Sequence, residues 1–449
     1  MKTTLHTPIL DFLQNYQTRS PARLHMPGHK GHGPLGCEAW DITEIPGADA
    51  LYEAGGIIAQ SEETAGALFG SQATFYSTEG SSQCIRAMLY LALQCRPAGA
   101  APRIVAARNV HKAFVYAAAL LDLEVTWLWP EDEGNRSLCA CPITAEGLER
   151  TLRSLPAPPA AVYVTSPDYL GNLADIPGLA AVCRRRGVPL LVDNAHGAYL
   201  KFLRTSLHPL DLGADMTCDS AHKTLPVLTG GAYLHLGKGL PPAFRDSARA
   251  ALALFGSTSP SYLTLASLDA CNAYLAGEPR FQETADALAA LKERLSRRGW
   301  RLMGTEPLKL TLDANSRGWT GPDLAEHLRA GGVEPEYAGG EACVLMISPE
   351  TRPEELKRAE DLLLHAEQRP PLPPVSLPPA RGEQVLPIRQ ALFAPQETVP
   401  SEEAPGRICG APTVSCPPAV PIAVSGERIG PEAAALFRRY GVGTVRVVR

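Results

Sequence analysis

An aspartate and a lysine each follow an apolar stretch of the chain. Asp193 comes directly after the run PLLV, and Lys223 ends the sequence Ser220-Ala221-His222-Lys223 thirty residues later. A carboxylate at the end of a buried strand is costly unless a cation meets it. A lysine amine can serve as a nucleophile toward a carbonyl group. The ordinary alternatives are an aspartate that caps a turn and a lysine on the surface.

A turn that could bind an anion lies upstream. Gly80-Ser81-Ser82 precedes apolar residues at helical spacing, among them Ile85, Met88 and Leu89. Free N–H groups, the positive end of the helix dipole and two hydroxyls together favour a phosphate at such a helix start. An ordinary serine N-cap is the alternative.

Taken together, these residue types match the needs of pyridoxal phosphate. The lysine would bind the cofactor as a Schiff base, and the aspartate would keep its pyridine nitrogen protonated. The phosphate needs the helix start. His111, in RNVHKAF, could stack on the flat ring, although a structural histidine explains that residue equally well.

Short apolar runs alternate with helical patterns between about residues 65 and 240, as in parallel βαβ units. The sequence predicts the following strands: Ile104–Ala107, Val162–Thr165, Pro189–Asp193, Met216–Asp219 and Ala232–Leu236. The residues of interest lie at or near strand ends. Because open α/β sheets bind ligands at the carboxyl ends of their strands, we expect the site there.

A second α/β pattern follows, with strands at 308–314 and 343–348 and helices at 321–332 and 353–368. The Pro-rich stretch 369–380 predicts an extended linker. We therefore divide the chain into an N-terminal segment (1–60), a large domain (61–290), a small α/β domain (291–368) and a Pro-rich linker with a C-terminal segment (369–449).

The composition excludes several classes of protein. The net charge of −5 argues against a protein that binds nucleic acid through a basic surface. A content of 45% hydrophobic and 20% charged residues is typical of a globular protein. Neither a signal peptide nor a membrane-spanning run is evident. Eleven cysteines without a CxxC pair argue against a metal site and fit a reducing compartment, so we expect a cytoplasmic protein.

Seven motifs occur in this order along the chain: LHMPGHKG, DITEIPGADALYEAGGIIAQSEETAGALFG, RNVHKA, TSPDYLG, DNAHGAY, SAHKT and STSPSYLTLASLDA. In these motifs and their order the chain resembles the bacterial ornithine/lysine/arginine decarboxylases, pyridoxal-phosphate enzymes of the aspartate-aminotransferase fold. The resemblance covers about residues 5–365, and a weaker match follows in GRICGAP and VPIAVSGERI. The chain is similar to the short form without an N-terminal wing domain.

The resemblance implies a role for several residues. Lys223 corresponds to the Schiff-base lysine, Asp193 to the partner of the pyridinium, His111 to the stacking residue and Ala195 to the small residue under the ring. It also implies the following residues around the phosphate: Gly80, Ser81, Ser82, Ser220 and His222, with Ser257 and Thr258 reaching the phosphate of the other subunit. An obligate homodimer with shared sites follows.

The resemblance also directs the choice of substrate toward a basic amino acid. Its distal cation should meet a carboxylate, and Glu336 is the first candidate, with Asp49 and Glu44 behind it; any of them could be a surface acid. Three departures from the family bear on substrate choice. Asn194 stands where the family usually has Glu, and Asp168 where it often has Thr or another small residue. In the lysine motif, Pro226 follows Thr224-Leu225 where a glycine-rich turn is usual.

Other functions share this fold and this lysine. An aminotransferase, an aldolase-type lyase or a protein that binds the cofactor without catalysis are the alternatives, because a fold does not determine a reaction. The products distinguish them: an amine with carbon dioxide, a keto acid, or none.

Overall fold

The computed structural model describes residues 5–131, 137–373, 380–414 and 419–449. Helices and strands are numbered along the chain. The chain forms two compact units: the first comprises Met1–Pro97 and Pro189–Arg280, and the second comprises Ala98–Val188 and Phe281–Arg449. In the described ranges, no helix is long and apolar enough to cross a membrane.

The first unit is α/β. Its strands are β1 (Ala73–Ser77), β5 (Leu190–Asp193), β6 (Met216–Asp219) and β7 (Ala232–Leu236). Its helices are α1 (Pro8–Arg19), α2 (Ile57–Phe69), α3 (Ser81–Gln94), α7 (Ala221–Thr224), α8 (Pro242–Ala253) and α9 (Tyr262–Ala276). Three short 3-10 helices cover Glu38–Trp40, Leu51–Glu53 and Ala198–Phe202.

The order of strands in the first unit is β1, β7, β6, β5. Strands β5 and β6 run parallel, whereas β7 is antiparallel to both of its neighbours. The antiparallel direction of β7 differs from the parallel pattern expected from the sequence. Between β6 and β7 the chain holds only the one-turn helix α7 and a glycine-containing loop, without the longer helix that usually crosses between parallel strands.

The second unit contains parallel strands and two further groups of strands. Its parallel strands are β2 (Ala101–Ala107), β3 (Glu124–Leu128) and β4 (Pro159–Thr165), in the order β4, β2, β3. A four-stranded sheet holds β8 (Arg301–Met303), β9 (Lys309–Asp313), β10 (Tyr337–Ala338) and β11 (Ala342–Met346). Its neighbouring strands are all antiparallel.

The helices of the second unit are α4 (Lys112–Leu120), α5 (Ala145–Ser154), α6 (Ile176–Arg186), α10 (Phe281–Arg297), α11 (Gly321–Ala330), α12 (Pro353–His365), α13 (Ile388–Phe393) and α14 (Pro431–Arg439). Two 3-10 helices cover Ala314–Arg317 and Ser401–Glu403. Several helices begin at the residues that capping chemistry favours: Thr144, Asp175 and Thr320 each accept a backbone N–H of the first turn.

The C-terminal part of the second unit is more regular than its proline content suggests. It contains β12 (Glu383–Gln384), β13 (Gln396–Pro400), β14 (Thr413–Val414), β15 (Pro421–Ala423), β16 (Glu427–Arg428) and β17 (Thr444–Val448). An apolar core that includes Ile422, Phe437 and Val447 holds it together. Residues 374–379 of the predicted linker lie outside the described residues.

The expected elements are confirmed in both units. Each of the five predicted strands of the large domain is present, and the helix expected after Gly80 begins at Ser81. The four elements expected between residues 308 and 368 are present as β9, α11, β11 and α12. The domain limits proposed from the sequence stay a prediction.

Candidate active site

Lys223 lies on the one-turn helix α7, directly after strand β6. Its side chain is exposed, and its Nζ is 3.1 Å from Nε2 of the buried His196. His196 belongs to the turn that follows Asp193 at the end of β5. The motifs DNAHGAY and SAHKT, which come from neighbouring parallel strands, are therefore in contact.

Asp193 is a buried carboxylate at the end of β5, with 2% of its surface exposed. Its Oδ1 accepts a hydrogen bond from the backbone N of Ala195 at 3.2 Å and from the thiol of Cys218 at 3.6 Å. Ala195 is itself buried. A carboxylate held in this way can stabilise a cation brought into the site, because burial strengthens the attraction.

The start of α3 contacts the lysine turn. Gly80 precedes the helix with φ +69°, and the hydroxyl of Ser220 donates to Oγ of Ser81 at 2.9 Å. The first N–H groups of an α-helix have no partner within the helix. Two hydroxyls and a helix start are thus combined, as a phosphate requires. Ser82 is the second residue of the same helix.

The loop at Gly230 and Gly231 joins the lysine turn to the start of α3, and neither glycine was among the site residues predicted from the sequence. Gly231 O accepts the backbone N of His222 at 3.2 Å and the ring Nδ1 of His222 at 3.0 Å. The next carbonyl, Gly230 O, accepts the backbone N of Gly80 at 2.7 Å. Gly230 has φ +98°, and a Cβ there would lie 2.6 Å from the carbonyl oxygen of Thr78. In the sequence, the Gly230-Gly231 pair before strand β7 indicates such a loop, because a positive φ with no room for a Cβ requires glycine.

His222 is half-buried in this loop. Burial lowers the pKa of its imidazole, and the hydrogen bond to Gly231 O offsets only part of that effect. Because Nδ1 faces a carbonyl oxygen, Nδ1 carries the proton in the neutral ring. Burial thus favours the neutral form of the His222 ring beside Lys223.

Asp219 is a second buried carboxylate, and it was not among the site residues predicted from the sequence. Its Oδ1 accepts the side-chain amide of Asn194 at 3.0 Å, and its Oδ2 lies 2.8 Å from Nε2 of His208 and 3.6 Å from Nε2 of His235. Burial opposes the charge of Asp219, but the two imidazoles outweigh burial and hold its pKa far below the usual range. The network explains why an amide, and not an acid, can stand at position 194.

His208, Asp219 and His235 form a fully buried group whose ligand atoms are close enough to hold a metal ion. The tautomer of His208 disfavours this use. Its Nδ1 accepts the backbone N–H of Leu210 at 3.3 Å, so Nε2 carries the proton and donates it to Asp219. A metal ion would need a lone pair at that nitrogen.

The segment with Ser257 and Thr258 is exposed. The backbone N of Ser257 donates to Oε1 of Glu79 at 2.8 Å, next to Gly80 and the start of α3. The hydroxyl of Ser257 accepts the backbone N of Ser259 at 3.1 Å. Both hydroxyl residues are therefore accessible on the single chain.

His111 belongs to the second unit and is the N-cap of α4, just after strand β2. Its Nδ1 accepts the backbone N of Ala113 at 3.2 Å, so the proton of the neutral ring is on Nε2. The loop that carries it, 108–111, follows the carboxyl end of β2, where sequence analysis expected the site residues.

Two of the three acids considered for binding the distal cation of the substrate accept hydrogen bonds in the structure. Glu336 is exposed, and its Oε1 accepts the hydroxyl of Tyr169 at 2.7 Å. Asp49 accepts four backbone N–H groups, from Ala50, Gly55, Gly56 and Ile58. Burial opposes its ionisation, but these donors outweigh burial and lower its pKa. Asp49 therefore has a structural role at the start of α2. Glu44 is exposed.

A cavity of about 430 Å³ opens in the second unit at the carboxyl ends of β2 and β4. Its walls include Asn109, Thr165 and Asp168. The carboxylate of Asp168 accepts the backbone N of Leu170 and the backbone N and side-chain amide of Asn172. Burial raises the pKa of Asp168 to about 6, against the lowering effect of those hydrogen bonds.

Comparison with solved structures defines the class of protein. The fold matches the lysine decarboxylase of Francisella novicida with a TM-score of 0.80 at 16% identity, over 99% of this chain and 81% of that chain. The chain therefore has the aspartate-aminotransferase-like α/β fold, with a large, mostly parallel sheet, that was expected from the sequence.

Sequence comparison then defines the family. Residues 7–301 match the model for the major domain of the Orn/Lys/Arg decarboxylases, so the chain belongs to that family of decarboxylases. It is 29% identical to the arginine decarboxylase of Bacillus subtilis (strain 168), over 95% of this chain and 92% of that protein. It is 30% identical to the arginine decarboxylase of Halalkalibacterium halodurans, over 94% of this chain and 91% of that protein.

Proposed function

We propose that this chain decarboxylates a basic amino acid, with arginine first and lysine or ornithine next, using pyridoxal 5'-phosphate bound through Lys223. The observation that carries the proposal is the contact between three motifs of the first unit. The turn after Asp193 reaches Lys223, and Ser220, beside that lysine, reaches Ser81 at the start of α3. The names of the arginine decarboxylase relatives support the choice of substrate.

The residues present fit the cofactor. A buried carboxylate, a lysine and a hydroxyl-lined helix start lie in one unit, and the loop at Gly230 and Gly231 connects the last two. When bound, pyridoxal phosphate supplies an electron sink for the bond that breaks. Lys223 would hold it covalently, Asp193 would keep its ring nitrogen protonated, and Ser81, Ser82, Ser220 and His222 would bind or border its phosphate.

Two further residues take the roles that the family resemblance implies. We assign His111 to the face of the cofactor ring and Glu336 to the distal cation of the substrate. Tyr169 donates to Glu336 and so orients its carboxylate. Because an arginine side chain can form two parallel hydrogen bonds with one carboxylate, this acid favours a guanidinium over an ammonium.

We further propose that the protein is a homodimer with shared sites and that it acts in a reducing compartment such as the cytoplasm. The exposure of Ser257 and Thr258 on the single chain supports a role toward a second subunit. All cysteines in the described ranges are free thiols, and most of them are buried, which fits a reducing compartment.

Spectroscopy and product analysis test the proposal. Purified protein supplied with pyridoxal phosphate should absorb in the visible, and Lys223→Ala should lose that band. Incubation with arginine, lysine and ornithine in parallel should release the matching amine and carbon dioxide. A keto acid product would indicate an aminotransferase, and a bound cofactor without any product would indicate a non-catalytic protein. A wild type that stays colourless with excess cofactor would refute the proposal.

A further inference from the structure

The C-terminal segment, residues 380–449, lies beyond the part of the chain that matches the family model. It contacts the chain around His111 at both ends of helix α4. At the first turn, the backbone N of Lys112 donates to Ala419 O at 3.0 Å. At the last turn, the guanidinium of Arg389 donates to Ala119 O at 3.1 Å and to Leu120 O at 3.0 Å.

Arg108 makes the strongest of these connections. It precedes His111 by three residues, and its guanidinium donates to Pro421 O at 3.1 Å and to Ile422 O at 3.2 Å. The same group pairs with Glu427 at 3.1 Å. The side chains of Arg108 and Glu427 are only 8% and 2% exposed, so the pair is shielded from solvent. A charged hydrogen bond in such surroundings is stronger than one at the surface.

Neighbouring groups keep the pair in one geometry. The rings of Trp127 and Trp129 lie 5.1 and 5.2 Å from the guanidinium carbon of Arg108, as in cation–π contacts. Oε2 of Glu427 also accepts the backbone N of Val424 at 2.8 Å. The planar guanidinium reaches two carbonyls and a carboxylate through two separate nitrogens, a geometry that the single, compact ammonium of a lysine does not reproduce.

Helix α4 needs such support because it is short. It spans nine residues, and a helix of that length is marginal by itself in water. Its position therefore depends on tertiary contacts. The contacts at its two ends come from residues that follow position 380.

We propose that the C-terminal segment positions His111, and that Arg108 and Glu427 are the positioning residues that join the segment to the loop 108–112. The inference rests on the proposed function, because it takes His111 as the residue that stacks on the cofactor. Arg108 and Glu427 act through His111 and not on the substrate.

The first test does not depend on the cofactor. Hydrogen exchange is followed in wild type, in Arg108→Lys and in the control Arg103→Lys. Arg103 lies on strand β2, which leads into the loop of Arg108, and pairs with the exposed Glu124. We expect the amides of the first turn of α4 to exchange about tenfold faster or more in Arg108→Lys, as for the loss of charged hydrogen bonds. Helix α6 and the control should be unchanged.

The second test measures cofactor affinity in a double-mutant cycle. Arg108→Lys should weaken pyridoxal phosphate binding by about tenfold in the wild-type background and by less than about twofold in the His111→Ala background, since its effect passes through that ring. An effect of equal size in both backgrounds, or unchanged exchange in α4, would overturn the inference.

Two further outcomes remain decisive. If Arg108→Lys does not fold, the exposed Arg389→Ala takes its place, with faster exchange expected in the last turn of α4, and unchanged exchange there would overturn the inference. If the wild type binds no cofactor, the proposed function fails, and the role assigned to His111 fails with it. The exchange data then still show whether the C-terminal segment holds α4.

Discussion

The side-chain amide of Asn194 donates a hydrogen bond of 3.0 Å to Oδ1 of Asp219, and both residues are fully buried. Asn194 also lies between the two residues assigned to the cofactor ring, Asp193 and Ala195. The departure of this chain from the family's acidic residue at position 194 thus coincides with an acid on the neighbouring strand. An acid at both positions would place two carboxylates side by side in the core.

Asn194→Glu should therefore destabilise the protein by about 3–5 kcal/mol relative to Asn194→Gln, which has the same length without the charge. The free energy of unfolding in urea measures the difference. Adding Asp219→Asn should restore most of the stability of the Glu variant, because one carboxylate then remains. Equal stability of the Glu and Gln variants would show that Asp219 does not control this position.

Gly230→Ala tests the loop that joins the lysine turn to the start of α3. Gly187 is the matched control, because it also has a positive φ (+63°) but would have no neighbouring atom within 4 Å of an added Cβ. Both changes should cost roughly 1–2 kcal/mol for the backbone conformation. Gly230→Ala should cost about 1–3 kcal/mol more, since its Cβ would overlap the Thr78 carbonyl, and should also weaken cofactor binding. Equal costs would refute the contact.

Asp168 should make stability depend on pH between about 4 and 6. Its pKa is raised to about 6 in the folded chain, so the folded state binds more protons than the unfolded state in this range. Stability from this group is therefore highest at low pH and falls as the pH rises, by about 3 kcal/mol in total. Asp168→Asn should remove that slope. Urea unfolding of both proteins from pH 4.5 to 7 measures it, and parallel curves would contradict the raised pKa.

Glu336→Gln should lower kcat/KM by at least about a hundredfold if the bound substrate covers this exposed acid, because removing one partner of a charge pair shielded from water costs about 3–5 kcal/mol. The visible band should not change. Tyr169→Phe is the control: it keeps the charge and removes only the hydroxyl that orients Glu336, so about a tenfold loss is expected. If Glu336→Gln keeps wild-type efficiency on every basic amino acid, Glu336 is a surface acid.

Mixed dimers test whether sites are shared between subunits. Lys223→Ala and the double variant Ser257→Ala/Thr258→Ala should each be inactive or nearly so. Random exchange of equal amounts should restore about a quarter of the activity, because half of the dimers are mixed and one of their two sites is intact. Subunit exchange is verified first with differently tagged chains. No recovery after verified exchange would argue for sites built within one subunit.

The sequence by itself was sufficient to predict the strands and the helix around the site. Strands β5 and β6 were predicted because they are short apolar runs that end in an aspartate, β7 because it is a short apolar run after a Gly-Gly pair, and α3 because helical spacing follows Gly80. These are local patterns, so a single chain reveals them. The antiparallel direction of β7 was not predicted, because strand direction depends on how the short connection after Lys223 returns to the sheet.

Residue types also indicated the chemistry of Lys223, Asp193 and the serine turn, since few side chains can do what the cofactor requires. The tertiary structure alone revealed the Asp219 network. His208, Asp219 and His235 look like ordinary residues in the sequence, and only the packing of β6 against its neighbours places them together. The same holds for Arg108 and Glu427, which are more than 300 residues apart in the chain. Burial and charge pairing depend on contacts between distant segments, and no local pattern records them.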